Sequence, residues 1–174
     1  MSGSTYNKRK ELQPDLFETA YSHPDTRHLK RYAIMHCDGA SSGNPGNSGI
    51  GVVIDLIDQD PQHGDGEIKE THKISEYIGI ATNNIAEYTA FIKGLEKARS
   101  LEVERINIFL DSELLVRQIN GIYKVRNKNL LPLWMKAVNI LKEFDEFRVI
   151  HVPREQNKEA DSLATQAVKK KAGG

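Results

Sequence analysis

From Tyr32 to Asp38 apolar residues dominate a short run that predicts a β-strand, closed by the turn-rich string Ser41-Ser42-Gly43-Asn44-Pro45-Gly46-Asn47-Ser48-Gly49. Ile50 to Ile57 is rich in branched residues and predicts a second strand. Beyond the loop from Asp60 to Gly66, a third covers roughly Lys69 to Gly79. Three consecutive strands joined by turns predict an antiparallel meander. The period then changes. Asn84 stands where a helix N-cap belongs, with Glu87 three residues on to close a capping box, and the helix runs to about Ser100. Arg105 to Leu110 is a short apolar strand, followed by helical spacing over Ser112 to Asn120 and about Asn129 to Glu143. Arg148 to Val152 forms a last strand stopped by Pro153, and a final helix begins near Gln156. Alternation of strand and helix in this half requires parallel pairing through right-handed crossovers. The expected fold is α/β: a mixed five-stranded sheet, three antiparallel strands and then parallel ones, with helices on both faces.

At 174 residues, 39% hydrophobic and 28% charged, the chain can bury one ordinary core. One domain over residues 31–170 is expected, after a polar extension (1–30) that is partly disordered or docks a short helix around Asp15 to Tyr21. Residues 171–174 are read as a tail, and Lys169 to Lys171 as a solvated helix end with loose phosphate contact. No apolar run approaches a membrane span. The start, Met1-Ser2-Gly3-Ser4 followed by Lys8-Arg9-Lys10, lacks the apolar stretch of a secretory signal, so a cytoplasmic protein without a membrane partner is expected. Cys37 is the only cysteine, which excludes an intrachain disulfide and a thiolate zinc cluster; it reads as a small buried hydrophobe.

Net charge is zero, yet the distribution is uneven. From Leu114 to Lys142 the cations Arg117, Lys124, Arg126, Lys128, Lys136 and Lys142 occur with no acid among them. Tyr123 and Trp134 interleave with these cations, which suits a phosphate backbone and sugar or base faces. A solvated helical face with an aromatic tucked into the core is the plainer alternative.

Four carboxylates change the picture. Asp38 and Asp111 stand at the ends of the first and fourth strands, and if these are parallel neighbours their side chains emerge together at one sheet edge. Glu87 shares a helix face with Phe91, Gly94, Leu95 and Ala98, the face that packs on the sheet. Asp161 sits near the start of the last helix, on the face of Ala164 and Val168. Four converging negative charges repel unless cations neutralise them, and an all-oxygen donor set points to Mg²⁺ or Mn²⁺ rather than zinc. Each acid also has a structural reading: Glu87 closing its capping box, Asp111 capping the next helix, Asp161 favouring a helix dipole, Asp38-Gly39 forming a turn.

The motifs that hold these acids are Asp38-Gly39 with Gly43-Asn44-Pro45-Gly46, Thr82-Asn83-Asn84 with Glu87, Asp111-Ser112, and Asn157 with Ala160-Asp161. In order and spacing, from about Arg31 to Val168, they resemble the type 1 ribonucleases H, also found as the terminal domain of reverse transcriptases. The resemblance implies an endonuclease that cuts the RNA strand of RNA/DNA hybrids with two Mg²⁺ ions, Mn²⁺ as a substitute, leaving 5′-phosphate and 3′-hydroxyl ends. It makes Asp38, Glu87, Asp111 and Asp161 the metal-binding catalytic acids. By the same resemblance Asn44, Asn84 and the backbone around Gly39 and Ser41 touch RNA 2′-hydroxyls, and Thr82 a DNA phosphate. Double-stranded RNA is a further candidate substrate.

The chain departs from the best-known bacterial pattern in three places. The long basic protrusion is replaced by Tyr123 to Lys128 and a direct run to Trp134, and Glu113 stands where many relatives carry Gln. The loop that usually supplies a histidine reads His151 to Asn157; His151 falls inside a strand pattern, so Arg154 is favoured as the electrostatic helper, as in the shorter, archaeal-like members. Competing readings are a non-cleaving nucleic-acid-binding module and a ribonuclease H-like nuclease acting on DNA junctions. A nucleotide-binding phosphate loop at the glycine-rich turn lacks both the Lys-Ser/Thr pair and a GxGxxG opening a helix. Gln13-Pro14-Asp15-Leu16-Phe17 is similar to the Gln-x-x-Leu-Phe peptides that attach replication and repair enzymes to the bacterial sliding clamp; an apolar docking patch is the alternative.

Overall fold

The computed structural model describes residues 31–58 and 66–172. Among them the chain forms β1 (Tyr32–Gly43), β2 (Gly46–Ile57), β3 (Ile68–Ala81), α1 (Asn83–Ser100), β4 (Arg105–Leu110), α2 (Glu113–Ile119), α3 (Leu131–Leu141), β5 (Glu146–His151) and α4 (Lys158–Ala172). A single 3-10 turn, Arg154–Gln156, joins β5 to α4. The strands make one sheet in the order β3-β2-β1-β4-β5. β1 to β3 pair antiparallel, and β1–β4 and β4–β5 pair parallel, the mixed topology the alternation of elements predicts.

Alternation along the central strands explains the layers. Ala33, Met35 and Cys37 of β1, Ile50, Val52 and Ile54 of β2, and Ile106 and Ile108 of β4 are buried with Phe91 and Leu95 of α1 in one core. Gly49 and Gly51, the intervening positions of β2, turn to the opposite face and meet α4. α3 packs outside α1. No described helix is long and apolar enough to cross a membrane.

Several boundaries differ from expectation, and the main shifts have local reasons. β1 continues five residues past Asp38, because the polar string is a hairpin: Ser41, Ser42 and Gly43 pair with Ser48, Asn47 and Gly46, leaving Asn44 and Pro45 as the turn. Serine hydroxyls make this polar strand possible, since those of Ser41 and Ser48 both donate to the Ala81 carbonyl at 3.0 Å. β5 begins at Glu146 rather than Arg148. There Arg105 of β4 donates to Glu146 Oε2 at 3.0 and 2.6 Å, holding a charged pair inside the ladder. α3 is shorter at both ends than Asn129 to Glu143; at its start Asn127 Oδ1 accepts from the Asn129 amide at 2.8 Å, closing a turn instead of a helix. The expected boundary before residue 171 falls inside α4. The Gln13 to Phe17 peptide and the helix read around Asp15 to Tyr21 lie outside the described residues.

Candidate active site

The β1–β4 register ends at the pair His36–Phe109. Two residues further along each strand stand Asp38 and Asp111. Asp38 is therefore not the last residue of its strand, as expected, but the first beyond the end of β4, still paired with Gly51 on the other side. Two glycines bring the helices in. A Cβ on Gly39 would lie 2.2 Å from the Ala86 carbonyl carbon and 2.3 Å from the Glu87 nitrogen, so the start of α1 rests directly on β1 and delivers Glu87 beside Asp38. A Cβ on Gly51 would lie 2.0 Å from the Ala160 oxygen, so the first turn of α4 rests on β2 and delivers Asp161. All four carboxylates line one cavity of about 510 Å³.

Hydrogen bonds orient three of the acids. Glu87 accepts from the Ser112 hydroxyl at 2.6 Å and from the Asn83 amide side chain at 3.0 Å. Asp111 accepts from Asn157 Nδ2 at 3.1 Å, and the same amide donates to the Cys37 carbonyl at 3.0 Å, tying the start of α4 to β1 and to the residue after β4. Asp161 accepts from Arg154 Nη2 at 2.6 Å. Asp38, 9% exposed, is the acid under greatest strain. Burial, followed by the charges of Asp111, Glu87 and Asp161, pushes its carboxyl up to about 8, against the Gly39 amide that favours the ionised form. Burial also raises Glu87, with the Ser112 hydroxyl opposing and the Asp111 charge adding to the rise.

Three of the four structural readings of these acids fail. Thr82, not Asn84, caps α1, accepting from the Ile85 amide at 3.3 Å. The capping position is thus shifted back by two residues, and Glu87 lies beyond the box. Ser112, not Asp111, caps α2, accepting from the Leu115 amide at 3.4 Å while donating to Glu87. Asp38-Gly39 is strand, not turn. Asp161 does lie in the first turn of α4, where a helix dipole favours an acid.

Of the expected contact residues, Gly39, Ser41 and Arg154 line the cavity. Asn44 does not line it, but accepts from the Asn83 amide at 3.2 Å and so anchors the hairpin tip to α1. Thr82 serves as the cap, Asn84 is exposed in the first turn, and His151 is exposed at the end of β5 outside the lining. Asn83, named in sequence only as part of a motif, Thr165, which had no reading, and Lys169, read only as part of a solvated helix end with loose phosphate contact, also line the cavity. Thr165 and Lys169 follow Asp161 at i+4 and i+8, a spacing that could have revealed them. Of the two aromatics in the basic stretch, Tyr123 is 46% exposed with the Arg117 guanidinium 5.1 Å over its ring, whereas Trp134 is partly buried and donates to the Gln118 carbonyl.

The donor set fits a hard divalent cation. It is four carboxylates, and burial together with their crowding holds Asp38 protonated near neutral pH, so a bound cation would favour the ionised form and relieve their repulsion. Among the described residues no three His, Cys, Asp or Glu side chains already converge as a finished ion cage. Glu87, Asp111 and Asp161 are instead held by Ser112, Asn83, Asn157 and Arg154.

The sequence model of the Reverse transcriptase-like family matches residues 36–167. Ribonuclease HI of Halobacterium salinarum is 37% identical over 131 residues, 75% of this chain and 61% of that protein. The Bifunctional protein Rv2228c of Mycobacterium tuberculosis is 35% identical over 135 residues, 78% of this chain but 35% of that protein. The chain thus spans less than two thirds of either relative. The structure of LC11-RNase H1 in complex with an RNA/DNA hybrid is similar at a TM-score of 0.68 and 37% identity, covering 80% of this chain and 99% of that one. The matched stretch takes in most of β1 and all but the end of α4, and with it every acid of the cavity: the chain belongs to the type 1 ribonuclease H family.

Proposed function

We propose that this chain is a metal-dependent endonuclease that hydrolyses the RNA strand of RNA/DNA hybrids, leaving 5′-phosphate and 3′-hydroxyl ends. The observation that carries the reading is the delivery of four carboxylates, from β1, α1, the β4–α2 junction and α4, to one cavity. The LC11 neighbour, 37% identical, was solved with such a hybrid bound. Asp38, Glu87, Asp111 and Asp161 would hold the metal, Mg²⁺ or Mn²⁺ by the hardness of their oxygens. When bound, two such ions supply Lewis acidity at the scissile phosphate, activating water on one side and stabilising the departing 3′-oxygen on the other.

The remaining residues orient and select. Ser112 and Asn83 fix the Glu87 carboxylate, and Asn157 fixes that of Asp111, so these acids are aimed before substrate arrives. Arg154, beside Asp161, supplies positive charge for the phosphate or the leaving oxygen. The backbone at Gly39 and Ser41 with Asn44 and Asn84 reads 2′-hydroxyls, which both donate and accept, and Thr82 takes a phosphate of the DNA strand. Labelled RNA/DNA, RNA/RNA and DNA/DNA duplexes incubated with Mg²⁺ and with Mn²⁺ test this. Cleavage of the hybrid's RNA strand is expected. An intact hybrid in both metals refutes it in favour of a binding module, and cutting of DNA alone favours a junction-type nuclease.

A further inference from the structure

The three lysines at the end of α4 are not equivalent. Asp161, Thr165 and Lys169 stand at i, i+4 and i+8, on one face of the helix, and all three line the cavity that holds the acids. Lys170 does not line the cavity, and the Lys171 ammonium lies 6.0 Å over the Tyr77 ring. Lys69, Lys73, Lys93 and Lys136 are all engaged in ion pairs with carboxylates. Lys169 is paired with no described residue, and the Thr165 hydroxyl bonds to none. Arg154, the other cation on the cavity, is already engaged by Asp161.

We propose that Lys169 and Thr165 form an outer phosphate subsite for the strand that is cut, an inference that rests on the hybrid-nuclease reading. Four carboxylates repel an incoming polyanion, and the cavity needs an uncommitted cation away from them to draw the strand in. Eight residues of helix span about 12 Å, and a lysine side chain reaches back over part of that distance. Lys169 therefore meets a phosphate one or two nucleotides from the scissile one, with Thr165 donating a hydroxyl between. A point charge on a flexible stem suits a contact that positions the backbone without reading the base. The subsite adds positive charge on the cleaved strand's side in a chain that lacks the basic protrusion.

Steady-state cleavage of a hybrid by the full chain in Mg²⁺, followed as NaCl is raised, tests the subsite. Lys169→Ala is expected to raise KM about three- to tenfold and to lessen the salt dependence by about one ion. Lys169→Arg restores most of the loss, and Lys170→Ala, which removes the same charge off the cavity, costs less than half as much. Placing a neutral methylphosphonate one or two nucleotides from the cut in the RNA strand should make wild type and Lys169→Ala alike at one position only. Equal effects of Lys169→Ala and Lys170→Ala, or no position that abolishes the difference, overturn the subsite while the nuclease reading stands. An unmutated chain that leaves the hybrid uncut overturns both.

Discussion

Replacing Asp38 by Asn should abolish cleavage and yet stabilise the metal-free protein. Burial first, and then the charges of Asp111, Glu87 and Asp161, hold the Asp38 carboxyl at about 8 instead of the ordinary 3.8. Between those values the unfolded chain ionises there and the folded chain does not, so the folded form binds one proton more and stability falls as pH rises through this window. The loss is about 1.4 kcal/mol per pH unit, which sets an upper limit of about 4 kcal/mol at pH 7. Asn has nearly the same shape and no charge to lose, but it leaves an amide to satisfy, and about 1–3 kcal/mol of net gain is the reasonable expectation. Urea unfolding of both proteins in EDTA from pH 4 to 8.5 measures it. Because the cost of the amide does not vary with pH, Asp38→Asn should be no more stable than wild type at pH 4, and it should gain steadily to its full advantage by pH 8. Saturating Mg²⁺ should reverse the ranking, since a ligand at a hundredfold its Kd adds about 2.7 kcal/mol to the form that binds it. A variant less stable than wild type at pH 8 in EDTA, or a difference that does not vary with pH, refutes the argument that burial among the other acids keeps the Asp38 carboxyl protonated in the folded chain.

Four further substitutions probe how the acids are held and helped. Asn157→Ala removes a buried amide that donates to both the Cys37 carbonyl and Asp111, and thermal or urea unfolding should show a loss of about 2–3 kcal/mol together with a fall in kcat. Gly51→Ala puts a methyl 2.0 Å from the Ala160 carbonyl oxygen, so α4 must shift; stability should drop by about 2–4 kcal/mol, with activity falling as Asp161 moves. Arg154→Ala should lower kcat more than His151→Ala, because Arg154 lines the cavity and His151 does not; activity nearly unchanged in the first and collapsed in the second would reverse the assignment.

The succession of strands and helices, the mixed pairing of the sheet and the four acids were legible in the sequence because their signals are local. A strand period of two, a helical period near 3.6 and acids at positions that otherwise call for apolar residues all survive without tertiary knowledge. What was lost depends on partners distant in sequence. The serine-rich string reads as loop by composition, yet its hydroxyls reach the Ala81 carbonyl and make it a strand. Asn84 and Thr82 are both plausible caps; the choice depends on where β3 ends, and it fell on Thr82. Asn157 could be named as part of a motif, but its bond to Asp111 spans 46 residues and appears only once β4 and α4 are set side by side. Lys169 could not be told from Lys170 and Lys171 because a run of three lysines looks uniform in sequence, while the 100° step of a helix brings only Lys169 of the three to the cavity lining.

The most direct test is to follow an end-labelled RNA/DNA hybrid in Mg²⁺ and determine the chemistry of the cut ends, with wild type and Asp111→Asn run side by side. Wild type should give RNA fragments bearing 5′-phosphate and 3′-hydroxyl ends, and the variant should leave the hybrid intact. Cyclic or 3′-phosphate ends, or cleavage that survives loss of the Asp111 charge, would contradict a hydrolysis carried by the four carboxylates.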